Sequence, residues 1–168
     1  MKNFWNIFII ITGILALGIF FTIKHLGSTY VEPIVYDSSI DKRELEICNS
    51  DRVYQYYNIS TSYTGGKKGI KKKLLPLIEK DQISFGEKEG NIAIRFVVSC
   101  KGEIGLFRAK GTDKNLKATN FDKSQVDSLI DLISQLKNWK AGVFHDKTYD
   151  SYYYINFKIE NGRIIDIF

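Results

Sequence analysis

Apolar positions fall along the chain in three patterns, and each predicts a different element. The first is unbroken: FWNIFIIITGILALGIFFTI, Phe4 to Ile23, carries no charge. Twenty helical residues rise about 30 Å, the thickness of a bilayer's hydrocarbon core. Trp5 lies near one end, where interfacial aromatics belong, and Lys2, Lys24 and His25 flank the run. A cleaved signal peptide has a shorter apolar region and a small-residue cleavage site, and FTIKHLGSTYVEP is a poor one. The expectation is an uncleaved membrane anchor over residues 1–25, crossing with residues 4–23.

The second pattern alternates. In GNIAIRFVVS, Ile92, Ile94, Phe96 and Val98 share one face and Ala93, Arg95, Val97 and Ser99 the other, as in a strand with one buried side. CKGE turns the chain and IGLFRAK, Ile104 to Lys110, returns as the second arm of a hairpin. YYYINFKIENGRIIDIF repeats the device, because Asn161-Gly162 is a strong two-residue hairpin signal. That register sets Glu160 opposite Arg163. It puts Tyr153, Ile155, Phe157 and Ile159 on one face, with Ile164 and Phe168 expected to join them. Upstream, VYQYYNISTSYTGG is a β-prone run that opens the domain near Val53.

The third pattern has helical spacing. A first helix is expected over Lys67 to Leu75, with Ile70, Leu74 and Leu77 facing inward and Pro76 ending it. Asp122 with Gln125 reads as a capping box, followed by Val126, Leu129, Ile130, Ile133 and Leu136 at core spacing. Trp139, just beyond, reads as a core anchor. Two helices kept apart from an antiparallel sheet predict an α+β two-layer domain over residues 53–168. Residues 26–52 form a connecting arm, with Val31, Ile34, Val35, Ile40, Leu45 and Ile47 packing part of it down. Fully extended, the roughly 38 residues from Lys24 to Thr61 reach at most about 130 Å.

Charge changes this picture little. The net charge of the 168 residues is +5, and without Lys2 and Lys24 it falls to 22 basic against 19 acidic side chains. No nucleic-acid motif accompanies this small excess, so no nucleic-acid partner is expected. The dense run KKGIKKK, Lys67 to Lys73, reads as a solvated helix face, or as a patch for an anionic envelope surface. Two cysteines and two histidines offer no metal-ligand spacing, so no metal or cofactor is expected. The best catalytic constellation, Cys100 with His145 and Asp146 or Asp150, has no local signature around it, and the chain is expected not to be an enzyme.

Four motifs in order then carry a resemblance. YTGG at Tyr63 to Gly66, EGNIAIRFVVSCKGEIG, WKAG at Trp139 to Gly142 and the strand YYYINFKI resemble pieces of the C-terminal domain of TonB-type energy transducers, in their Bacteroidetes-like form. The resemblance covers Tyr63 to about Phe157. It implies an αββαβ domain with a small sheet, lying in the periplasm behind an inner-membrane anchor. It also implies a protein partner in the cell envelope, an outer-membrane transporter or an inner-membrane motor complex, taken by strand addition. Tyr152, Tyr153, Tyr154, Ile155, Asn156 and Phe157 would form the docking strand. Gly65, Gly66, Phe96, Gly102, Trp139 and Gly142 would be structural. In an oxidising periplasm Cys48 and Cys100 could pair. The chain departs from the family in three ways: its span has no Ser-x-x-x-His pair, its arm is not proline-rich, and Ala141 replaces the proline of Trp-Lys-Pro-Gly. The first two favour an alternative, a TonB-like envelope binding or scaffold module without energy coupling.

Overall fold

The structure, a computed structural model, describes residues 2–26, 34–48 and 53–168. They fall into two compact units, residues 1–33 and 34–168. The first is a single helix, α1, Lys2–Leu26. Its stretch Trp5–Thr22 is long and apolar enough to cross a membrane. The hydroxyls of Thr12 and Thr22 donate back to the carbonyls of Phe8 and Gly18, each at 3.0 Å. Such bonds satisfy the polar groups of a helix placed in hydrocarbon. Val31 lies outside the described residues, as do the side chains of Lys2, Lys24 and His25.

The second unit runs β1 (Tyr54–Gln55), a 3-10 turn (Tyr56–Asn58), β2 (Ser62–Tyr63), α2 (Gly66–Lys80), β3 (Gly90–Val98), β4 (Ile104–Asp113) and β5 (Ala118–Thr119). It continues with α3 (Lys123–Ser134), β6 (Trp139–Lys140), β7 (Gly142–Phe144), β8 (Lys147–Tyr149), β9 (Ser151–Glu160) and β10 (Arg163–Ile167). It is an α+β domain. The main sheet has the order β1-β9-β3-β4-β5, and β10 also pairs β9. β1 joins β9 in parallel and the other pairs are antiparallel, so the sheet is larger than expected and mixed.

The two long hairpins bury the face that alternation predicts. Ile92, Ile94, Phe96 and Val98 of β3 and Tyr153, Ile155, Phe157 and Ile159 of β9 pack with Ile70, Leu74 and Ile78 of α2 and Leu129, Leu132 and Ile133 of α3. Asp122 caps α3 by accepting the Gln125 N–H at 3.1 Å. The reciprocal half of the capping box does not form, because the Gln125 side chain accepts from the Ser84 N–H instead. α2 runs through Pro76 rather than stopping there. Pro76 is exposed, so the carbonyl one turn back that its ring leaves unpaired can face water.

Two bulges redirect side chains. In β4, Leu106 and Phe107 together oppose Phe96, and Leu106 takes φ 55°. Phe107 therefore stays on the core face against Phe96, ring centres 5.3 Å apart, while Leu106 turns to the opposite face. In β10, Ile165 is the extra residue between the Ile164↔Ile159 and Asp166↔Lys158 pairs. A one-residue insertion inverts which side chains face inward. Ile167 is accordingly buried and Phe168 exposed, the reverse of the expectation for Phe168.

The β-prone run upstream of Gly65 is mostly not strand: only Tyr54–Gln55 and Ser62–Tyr63 pair, around the 3-10 turn. At the tip of the β4–β5 hairpin Leu116 has φ 61° and is 76% exposed. A left-handed conformation strains a side chain that here packs on nothing. Leu116→Gly is therefore expected to raise stability by about 1 kcal/mol, read as a higher urea midpoint at unchanged slope.

Candidate functional site

β9 lies inside the sheet, not at its rim. β3 pairs its whole length on one side, from Val98↔Ser151 to Gly90↔Ile159. On the other side β1 covers the start, through Tyr54↔Ser151 and Gln55↔Tyr152, and β10 covers the end, from Phe157 to Glu160. Asn156 exchanges both backbone bonds with Phe168, each at 3.0 Å. Alternate residues point their backbone groups the same way. Tyr154 thus directs its N–H and C=O into the one-residue opening between β1 and β10. Of the expected docking residues, Tyr152, Tyr153, Ile155 and Phe157 are buried, Asn156 is half-buried and Tyr154 is exposed. β10 covers the end of the strand, as the Asn161-Gly162 hairpin implies, and β1, which sequence reasoning missed, covers its start.

The opening is aromatic. Tyr56 packs against Tyr153 and Tyr154, with ring centres 4.8 and 5.5 Å away. Its hydrogen bond to Tyr154, with burial and the nearby tyrosines, pushes its pKa up to about 12. Lys67 and Ile70 of α2 and Ile167 and Phe168 of the tail close the other side.

The connecting arm is part of the folded unit, which begins at Ile34 rather than Val53. Residues 34–48 pack on the sheet face opposite the helices through Ile34, Leu45 and Ile47, while the Lys42 side chain pairs with Asp131 of α3. Leu45 is buried there with Val97, Leu106 and Tyr152, and Ile34 and Ile47 pack beside it. Val35 and Ile40 are exposed, against expectation. The Tyr152 hydroxyl accepts the Ile34 N–H at 3.1 Å, and its ring lies under the Arg95 guanidinium at 3.9 Å. Arg108 holds Asp41 with both terminal nitrogens, at 2.8 and 2.9 Å. Cys48 is bonded to Cys100, with Cα atoms 6.2 Å apart.

Burial pushes the Asp41 carboxyl up, but its hydrogen bonds from Arg108 and the Asp37 N–H outweigh this and hold it below the usual carboxylate range. A lowered folded-state pKa gives stability that is present above the unfolded value, near 3.9, and lost as the pH falls through the folded one. Asp41→Asn is expected to cost about 2 kcal/mol at neutral pH. Denaturation curves of wild type and variant should draw together as the pH falls through the lowered folded-state value, and a pH-independent gap would contradict this.

The expected structural residues hold the core end of the sheet. Trp139 is buried against Tyr63, Phe96 and Tyr153, with ring centres 5.1, 5.2 and 4.9 Å away. Its Nε1 has no hydrogen-bond partner among the described residues. Gly65, with φ 83°, caps α2, and Gly66 begins it. Gly102 takes φ 77° and backs onto the Trp139 carbonyl, which an added Cβ would approach to 2.7 Å. Gly142 packs on Ile59 and Thr61, leaving no room for a side chain.

The catalytic constellation does not assemble. The Cys100 sulfur is committed to Cys48, and Asp150 accepts the Cys100 N–H at 2.9 Å. His145 and Asp146 form the β7–β8 turn, both with positive φ, and the His145 ring stacks on Phe144. Sequence reasoning missed the Arg108–Asp41 clamp and the Tyr56 pairing, since neither partner is signalled locally. Compared with family models, with curated proteins and with solved structures, the chain matches none.

Proposed function

We propose that the chain is a membrane-anchored, TonB-like cell-envelope module that takes a protein partner at the β9 edge and acts close to its membrane. The observation that carries this reading is how little sequence lies between α1 and the folded unit. Because the folded unit begins at Ile34, only seven residues, Gly27 to Pro33, join it to α1. A chain of that length spans at most about 30 Å. That supports a local binding or scaffold role over a transducer reaching a distant outer-membrane transporter, and the absence of serine and histidine from the span supports it too. On this reading α1 lies in the inner membrane with the domain on the periplasmic side. The Tyr154 opening is the seed for strand addition, and β10 is the built-in strand that a partner would displace.

A photoreactive side chain at position 154, compared with one at Leu116 on the far edge of the sheet, tests this in intact membranes. Adducts are expected from position 154 alone, and more of them once Arg163 to Phe168 is removed. Equal adducts from both positions, or none, would overturn the docking site. Adducts whose yield falls when the proton gradient is dissipated would instead favour energy transduction.

A further inference from the structure

We propose that the outer face of α2 is a docking surface for the anionic phospholipid headgroups of the anchoring membrane. α2 carries six lysines and one glutamate, in GKKGIKKKLLPLIEK. Ile70, Leu74 and Ile78 face the core. Lys67, Lys68, Lys72 and Lys73 are exposed, and among the described residues none of them forms an ion pair. Lys71 alone is paired, with Asp166.

This arrangement works against the helix. Lys67 and Lys68 sit in the first turn, where the backbone dipole already concentrates positive charge and acidic residues are the stabilising choice. Lys67 with Lys71, and Lys68 with Lys72, stand at i, i+4, where like charges repel. A solvated face selected for stability would mix signs, so the folded state alone does not account for this one.

Two further observations indicate a bilayer rather than a soluble polyanion. First, only seven residues separate α1 from the folded unit in sequence, so on a chain anchored by α1 weak attraction to headgroups acts at high effective concentration. Second, aromatic groups border the first of the lysines: Tyr154 and Phe168, the latter 46% exposed, line the same slot as Lys67. Lysines beside an aromatic rim match the headgroup region, where charge meets phosphate and rings settle at the interface. The inference goes beyond partner binding and does not depend on it.

The test uses the full chain in nanodiscs of phosphatidylcholine alone or mixed equally with phosphatidylglycerol. Amine labelling is read lysine by lysine by mass spectrometry. Lys68, Lys72 and Lys73 are expected to label several-fold more slowly in the mixed discs. Lys114 and Lys117, at the β4–β5 tip, should label alike in both and serve as internal controls. High salt should abolish the protection, since the attraction is screened. In the same mixed discs K68Q/K72Q/K73Q should raise the labelling of the remaining exposed Lys67 and Lys80 to its rate in phosphatidylcholine alone, with the circular dichroism of the fold unchanged. Equal labelling in both discs overturns the proposal, and so does protection that survives high salt, or protection of Lys67 and Lys80 that survives the triple substitution. Protection produced instead by a soluble acidic polymer, with none from phosphatidylglycerol, reassigns the face to another polyanion.

Discussion

Replacing Trp139 with alanine is expected to lower the free energy of unfolding by about 4 kcal/mol. The indole joins three rings that come from separate elements: Tyr63 on β2, Phe96 on β3 and Tyr153 on β9. Its removal leaves a cavity that backbone at both ends prevents from closing. β6 pairs β2 on one side, and Gly102 abuts the Trp139 carbonyl on the other. Trp139→Phe should cost far less, because it keeps ring contacts and removes a buried N–H that has no acceptor among the described residues. Chemical denaturation of the three proteins checks the order. Unchanged stability in Trp139→Ala with lost partner capture would move this residue from core to interface.

The second large effect is the loss of the Cys48–Cys100 bond. With the cysteines 52 positions apart in sequence, the chain-entropy model gives about 4 kcal/mol. Cys48→Ser with Cys100→Ser should therefore shift the urea midpoint strongly. Reductant should shift wild type by a similar amount and leave the double variant unmoved. If reductant does nothing to wild type, the bond contributes nothing. Thiol trapping at cell lysis extends the experiment to location, since a persistent disulfide marks an oxidising compartment.

What could be read from the sequence was whatever is encoded within one element. Alternation from Ile92 to Val98 needs no distant partner to show its buried face, and Asn161-Gly162 sets the Glu160↔Arg163 register by turn geometry alone. Asp122 likewise caps a helix that begins beside it. The missed features are all non-local. Asp41 becomes a buried carboxylate only because Arg108, 67 residues away, meets it. Leu106 leaves the core face through a bulge at which leucine rather than the adjacent Gly105 takes the positive φ, and Ile165 is the extra residue of a second bulge in the tail. At the candidate site, three consecutive tyrosines on a strand cannot all face one side, and Tyr154 is the exposed one. Two-residue β1, which shields the start of that strand, is too short to leave a pattern.

The bonded arm also decides how the domain would carry load. Tension arriving from the anchor side meets the Arg108–Asp41 clamp and the packing of Leu45 first. If these yield, the pull passes through Cys48 into Cys100, at the turn that leads out of β3, and skips the chain between them. The 3-10 turn, β2 and α2 are thereby relieved of strain, although they come first in sequence. A partner gripping β9 and drawn along the strand would load the β3–β9 ladder in shear, from Gly90 to Val98 at once, rather than peeling it bond by bond. With the disulfide reduced, the same pull would enter at β1, whose two residues offer almost no resistance.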